Sequence, residues 1–297
     1  MTGAESMAAP QPAARAVPYI FSPAVLRQFR RSRSAMLGLA LTLAFILVAI
    51  LAPVLSPHDP IAFTLGMRLS PPSPDYPLGT DELGRDILSR LLWGARVTLF
   101  ITLSSVAIAL VAGTTFGIFS GYRGGWTDTL VMRLMDVWLA MPAFLLAIAI
   151  IAALGSGTIN VIIAVGISSV PAFARVARGS ALSVRQDDYV LAARALGARD
   201  SRIMVRHILP NVVAPLLVQT SLRLATAILT ASGLSFLGLG TQPPDPEWGA
   251  MLSTGRDYIT SSPQLATIPG VAIMLVTIGF NTLGDGLRDI LDPRLKR

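Results

Sequence analysis

Few side chains in this sequence are equipped for covalent or metal chemistry. The only lysine is Lys296, so a G-x-x-x-x-G-K-[ST] loop, whose lysine reaches the outer phosphates of a nucleotide, cannot be built. There is no cysteine, and the histidines are His58 and His207 alone. That removes disulfides, thiolate nucleophiles and thiolate metal ligands, and leaves little for a histidine-built site. Neither H-E-x-x-H nor G-x-S-x-G occurs. The nearest approach, GLSFLG at 233–238, has no histidine near it in sequence. No catalytic, cofactor-binding or metal-ligating residue is assigned, and an enzyme is not expected.

Charge in apolar surroundings is the more informative chemistry. The stretch YVLAARALGARDSRIMVRHILP, 189–210, lies between long apolar runs. Asp187 and Asp188 are placed to cap a helix over Tyr189–Leu196, and Gly197 to end it in a left-handed conformation. Asp200 or Ser201 then restarts a helix toward Pro210. Ala192, Ala195 and Leu196 fall at i, i+3 and i+4, a small apolar face open to close approach, with Arg194 and Arg199 solvated beside it. Arg223 lies ~18 Å along a helix from Asn211, near mid-membrane. A charge there costs about 2.5–3.5 kcal/mol and is expected to face the bundle interior or water. Two readings stay open for it: a lining residue of a translocation path that attracts a substrate carboxylate, or a partner of helix-end carbonyls or of Gln219.

The elements carrying these residues follow from composition. Of the 297 residues 53% are hydrophobic and 14% charged, which places the chain among membrane proteins. Apolar runs at 36–55, 97–119, 137–154, 159–176, 212–237 and 266–283 are each near the length of one crossing, giving an all-α polytopic protein with six transmembrane helices. Residues 1–20 read as an unstructured start. The first run is too long and too far from Met1 for a cleaved signal, so it is expected to remain as an anchor over 36–56, with the mature chain starting at or near Met1. Arg15, Arg27, Arg30, Arg31 and Arg33 precede it, and Arg288, Arg294, Lys296 and Arg297 follow the last run. The positive-inside rule therefore makes both termini cytoplasmic, 1–35 at one end and 289–297 at the other. It also makes the arginine-rich 187–210 loop cytoplasmic. The outer segment 56–96, with Arg68, Arg85, Arg90 and Arg96, is the exception, and its acids accompany those bases. The net charge of +7 is read as loop charge beside anionic lipid, not as a nucleic-acid face.

Smaller features have structural readings. Gly113 and Gly117 permit close packing, within the subunit or against a partner. Arg133, Asp136 and Pro142 are expected to bend the third helix or to form an interfacial ion pair. Asp81 is a candidate cap for a short outer helix with Leu83, Ile87, Leu88 and Leu91 on its apolar side.

The 189–210 stretch, with Ala192-Ala193, Gly197 and Ile208-Leu209-Pro210, resembles the EAA loop of binding-protein-dependent ABC importer permeases. PLGTDELGRDILSRLLWGARVTL (77–99), LSFLGLGTQPPDPEWGAML (234–252) and GDGLRDILDPRLKR (284–297) resemble the C-type inner-membrane subunit of dipeptide and oligopeptide importers, a group that includes nickel-type systems. Two positions depart from that pattern: Leu191 stands where the loop's glutamate is usual, and Ala231 where a glutamate commonly precedes LSFLGLG. The resemblance implies a type I ABC importer permease fold with its core over 95–288 and a coupling loop at 187–210. The residues it implicates in gripping an ATPase are Ala192, Ala193, Ala195, Leu196, Gly197, Arg199, Ile208, Leu209 and Pro210. It further implies a second related permease, two ABC ATPase subunits that bind the ATP, an extracytoplasmic solute-binding protein, a peptide or other small solute as substrate, and a bacterial inner-membrane location among lipids. No cofactor is expected on this chain. The competing classes are an ion-coupled secondary carrier, disfavoured by the lack of acids in the helix cores, and a membrane-embedded enzyme.

Overall fold

The computed structural model describes residues 23–291. The expectations placed on 1–22, Arg15 included, and on 292–297, with Arg294, Lys296 and Arg297, lie outside the described residues. Within them the chain is helical, with one isolated bridge between Thr80 and Asp86. A short helix α1 (Pro23–Arg31) leads into α2 (Arg33–Leu55), whose start is capped by the Ser32 hydroxyl accepting from the Ala35 amide. After the outer segment come α3 (Ile87–Arg123), α4 (Gly125–Leu139), α5 (Ala143–Leu154) and α6 (Thr158–Val184). The short α7 (Asp188–Ala195) and α8 (Asp200–Ile203) precede α9 (Leu209–Phe236), and α10 (Trp248–Gly255) separates it from α11 (Gln264–Leu291).

Helices α3 and α6 form the central pair. A methyl group at Gly113 would meet the Phe173 Cβ at 2.5 Å and the Val170 carbonyl at 2.6 Å; one at Gly117 would meet Ala174 and Ala177, and one at Gly121 would meet Arg178 and Ala181. Contacts climb both helices in the same sense, so they run parallel with their backbones nearly touching. Gly113 and Gly117 therefore serve packing inside the subunit, one of the two uses their spacing allows.

That parallel pair corrects the third predicted span. Residues 137–154 are not one helix: α4 and α5 meet at an 87° bend, with Pro142 at the N-cap of α5, where a missing N–H costs no helical bond. The 12 residues of α5 cover ~18 Å, too little for a crossing. Since α3 and α6 are parallel, the chain between them must nevertheless return across the membrane, and α4 and α5 do so together. The bend is stabilised at its base, where Asp136 accepts from Arg175 at 2.8 Å. Five long helices and this broken pair make six crossings.

The remaining helices alternate. The start of α6 meets the end of α9 through Gly157 N–H to the Leu239 carbonyl and through Thr158 against Thr241, so these two are antiparallel. Likewise α2 packs antiparallel on α11, with Gly286 against Ala35 and Gly279 against Leu41. The start of α2 and the end of α11 thus lie on the same side. One apolar cluster joins α3, α5, α6 and α9 and runs down to α7; a second joins α2, α3, α9, α10 and α11 around Phe45, Trp248 and Phe280.

The outer segment accounts for its own arginines. Arg85 donates to Asp81 at 2.6 Å and to Glu82 at 2.7 Å, and Arg90 lies 3.3 Å from Asp81 while donating to the Pro60 carbonyl. Arg68 donates to the Glu82 carbonyl, and Arg96 stacks over Trp93. Each of these bases is held by a partner on the spot. No short helix forms over 79–86, however. Asp81 closes a turn by accepting from the Leu83 and Arg85 amides, and Asp86 is the cap, accepting from the Leu88 and Ser89 amides at the head of α3. Consequently Ile87, Leu88 and Leu91 belong to the long helix.

Replacing Gly117 by alanine forces a collision with backbone on α6, and overpacking of this kind costs about 1–3 kcal/mol. The melting temperature of the purified subunit should fall for Gly117→Ala. It should hold or rise for Gly179→Ala, whose new methyl meets nothing within 4 Å and replaces a poor helix former.

Candidate functional site

The segment after α6 is built from turns with evident causes. Asp187 occupies the N-cap position of α7, but its side chain accepts no capping hydrogen bond from the first amides of the helix. The two acids therefore act through charge at the helix start and not as the hydrogen-bonding caps expected of them. At the other end Gly197 has φ +78°. Its N–H donates to Arg194 and that of Ala198 to Ala193, the paired closure that a left-handed glycine permits. The following helix does not stop at Pro210. From α8 it passes through a widened π-type turn over Met204–Ile208, with the Leu209 N–H reaching back to the Met204 carbonyl, and continues unbroken into α9. Pro210 has no N–H, and its ring would press on the carbonyl one α-turn earlier. The wider turn removes that conflict.

Three anchors tie this segment to the bundle. The Tyr122 hydroxyl, at the foot of α3, donates to Asp200 at 2.7 Å, and Arg123 lies 3.6 Å from the same carboxylate. Arg194 is not freely solvated: its guanidinium stacks 5.2 Å above the Tyr122 ring. Asn211 donates to the Tyr189 hydroxyl at 3.0 Å and to the His207 carbonyl at 2.7 Å, joining α7 to the base of α9. Burial, with the charge of Asp187 adding to it, pushes the Tyr189 hydroxyl up from its ordinary range, so it stays protonated. Val190, Ile203 and Ile208 are fully buried beneath these contacts.

The arginines on the way into the segment are also engaged. Arg178 grips Asp128 with two bonds of 2.6 Å, Ser120 donates to the same carboxylate, and Arg185 donates to the Gly121 carbonyl at 2.9 Å. They fasten α6 to α3 and α4. Tyr122, Asp128 and Asn211 were not singled out in the sequence, and Asp200 was read only as a helix start, because nothing local marks their contacts. Their partners are tens of residues away, as the 78-residue separation of Tyr122 from Asp200 illustrates.

Among the exposed residues of the segment is an apolar group set between charged side chains such as Arg194 and Arg202. Leu196 is 88% exposed and Leu191 about half exposed. Ala192, Ala195 and Arg199 are exposed, and a side chain on Gly197 would meet nothing within 4 Å. Ala193 is half-buried. The other end behaves differently: Ile208 is buried in the subunit, Leu209 half-buried, and Pro210 exposed beyond the widened turn. Leu191 lines a cleft of about 530 Å³ with Tyr122, Arg123, Arg185, Arg194 and Asp200. Arg223 is remote from all of these, midway along α9.

The fold is thus a six-crossing helical bundle with a braced segment between α6 and α9 on one face. This chain belongs to the family described as binding-protein-dependent transport system inner membrane components, whose model matches residues 113–297, and residues 22–72 match the N-terminal transmembrane domain of oligopeptide transport permease C. It is 46% identical to a dipeptide transport system permease protein of Alkalihalophilus pseudofirmus, over 91% of this chain and 89% of that one. It is 45% identical to a di/tripeptide permease protein of Pseudomonas aeruginosa, over 94% and 95%. A glutathione transport system permease protein of Pectobacterium atrosepticum is 47% identical, over 91% and 90%. In fold the chain is similar to a chain of the methionine ABC transporter MetNI in an inward-facing conformation, with TM-score 0.55, 18% identity, and coverage of 68% of this chain and 96% of that one. The protein is a multi-pass permease subunit of an ABC importer of the inner membrane, it works with other importer components, and its family is not enzymatic. An ion-coupled carrier finds no support here.

A hydrogen bond to a charged group contributes about 1.5–3 kcal/mol. Tyr122→Phe should therefore speed amide hydrogen exchange across α7 and α8 roughly ten- to hundredfold, with the α3–α6 contact unchanged; mass-spectrometric exchange on the purified subunit reads both.

Proposed function

We propose that this chain and a second, related permease together form the translocation path of an ATP-driven importer for di- or oligopeptides or a closely related solute such as glutathione. In this reading two ABC ATPase subunits bind the ATP and grip residues 187–210, and an extracytoplasmic binding protein delivers the solute to the opposite face. The substrate class rests on the relatives named above. Both termini are taken as cytoplasmic, because the described arginines at the start of α2 and around α7 and α8 lie on the face opposite the self-neutralised outer segment.

The observation that carries the proposal is the exposed group Ala192, Ala195, Leu196 and Gly197, standing on a segment braced to α3 and α9. An apolar knob on a cationic surface buries area only when a partner covers it. With Leu191 where a glutamate is usual, the grip depends on shape. ATP binding then does work on the membrane part through differential affinity of the ATPases for two arrangements of the knob. The knob is joined to α8 by the short Gly197–Arg199 turn, and α8 continues into α9, so displacement of the knob is passed on to the helix that bears Arg223.

The test is co-purification with the candidate ATPase and permease subunits, followed by uptake of dialanine and of glutathione in proteoliposomes carrying the binding protein. Gly197→Trp is expected to reduce uptake at least tenfold while ATP hydrolysis persists. At φ +78° any L-residue is strained by roughly 1–2 kcal/mol, so Gly197→Asn, which tolerates that conformation, serves as the control and should retain most uptake. Undiminished uptake by Gly197→Trp, or uptake without any ATPase subunit, would refute the proposal.

A further inference from the structure

Helix α9 has three faces, and one of them has no partner in the subunit. Ala227, Ala231 and Leu234 pack into the cluster with α3, α5 and α6, and Ala225 and Ile228 into the cluster with α2, α10 and α11. The third face carries Gln219, Arg223, Thr226 and Thr230, spaced i, i+4, i+7 and i+11, which superimposes them along one stripe of a helix. Thr226 is exposed and the other three are partly exposed. The Thr226 and Thr230 hydroxyls donate back to the helix, to the carbonyls of Arg223 and Thr226, so each turns oxygen lone pairs outward.

Arg223 sits at the centre of this stripe. Its side chain has no hydrogen-bond or ion-pair partner among the described residues, and no carboxylate occurs in the chain between Asp200 and Asp245. A guanidinium at this depth is tolerated where it meets water or an anion, not hydrocarbon. Its neighbours on the stripe are two hydroxyls and an amide, groups that solvate a polar passage and are wasted against lipid. The fork of donors on an arginine matches a carboxylate in two-point geometry.

We infer that the Gln219–Arg223–Thr226–Thr230 face of α9 lines a water-filled passage and that Arg223 receives the carboxylate of the travelling solute. The inference rests on the importer reading and adds to it a binding group and the chemical feature that group recognises. The stripe holds the anion by one charge and passes it along hydroxyls that bind weakly, which allows entry without trapping.

The absence of cysteine from the chain makes the test direct. In the assembled complex with the partner permease and ATPases, Thr226→Cys and Thr230→Cys are reacted separately with 2-carboxyethyl methanethiosulfonate and with its trimethylammonium counterpart. Labelling is read on this subunit, which has no other thiol. Both positions are expected to react, the carboxylate reagent faster. Adding Arg223→Gln should lower the carboxylate-to-ammonium rate ratio roughly tenfold, the size of effect that one charge a few ångströms away produces in a partly screened site, whereas Arg223→Lys should largely preserve it. A packing defect would move both rates together and leave the ratio unchanged. Absence of reaction with either reagent would place the face against protein or lipid and overturn the inference. An unchanged ratio in Arg223→Gln would mean that Arg223 is already paired by an acid of a neighbouring subunit, and would overturn it equally. Failure of the chain to assemble with any ATPase would instead tell against the importer reading itself.

Discussion

Helices α3 and α6 run parallel and in contact, and a polypeptide achieves that only by recrossing the membrane between them. The contact is possible because Gly113, Gly117 and Gly121 present no side chain toward Val170, Ala174, Ala177 and Arg178. Without a hydrophobic drive between helices in lipid, such close backbone approach is a main source of association. From it follows the return of α4 and α5, broken by 87° yet crossing as one. The alternating senses of α6, α9 and α11 follow in turn, as does the seating of α2 against α11. The polar anchors depend on it too. Ser120, Asp128 and Arg178 meet because the same glycine stripe brings the ends of the two helices together.

Charge is distributed by that geometry according to whether water is present to carry it. On the outer face four arginines are satisfied by local acids, carbonyls and an aromatic ring. On the other face Arg178 and Arg185 are spent on interhelix fastening, and Arg199 remains exposed beside the apolar knob. Glu247 shows the cost of the alternative. It is 1% exposed and burial pushes its carboxyl up, opposed by the amides of Gly249 and Ala250 at the start of α10. As a helix cap it holds α10 in place, and the indole N–H of Trp248 then donates to the Leu91 carbonyl at 2.9 Å, locking α10 to α3.

The spans were legible because hydrocarbon imposes one requirement, about 20 apolar residues per crossing, and the sequence meets it without ambiguity in five places. The third crossing was placed as a single helix for the same reason, since 137–154 has the composition of a span; the bend at Pro142 was legible, but its size and the start of α4 at Gly125 are local features that a hydropathy window averages away. Gly197 was legible as a terminator, since a left-handed residue after a short helix leaves a signature. Asp81 and Asp86 were not distinguishable as caps. Both precede apolar residues, and the choice was made by Arg85 and Arg90, which claim Asp81. Asp200 was legible as a helix start, but the contacts it, Tyr122 and Asn211 make were invisible, being contacts between elements and not patterns within one.

The widened turn at Met204–Ile208 gives the 187–210 segment its mechanical character. A straight α-helix cannot accept Pro210 without losing a bond and bending, and a loop there would let the knob move independently of the span. A π-type turn avoids both, because the Leu209 N–H still donates backward, to the Met204 carbonyl, and the helix continues into α9. From Asp200 onward the segment is therefore an extension of α9, tied at that end by Asp200 to Tyr122. The exposed group at Leu196 stands one turn away, joined to this helix through Gly197–Arg199 and steadied by Asn211 to Tyr189. Rigidity of this kind supplies no energy. In the coupling proposed above, it would let a free-energy difference that a partner creates between two positions of the knob be felt along α9, the helix that bears Arg223.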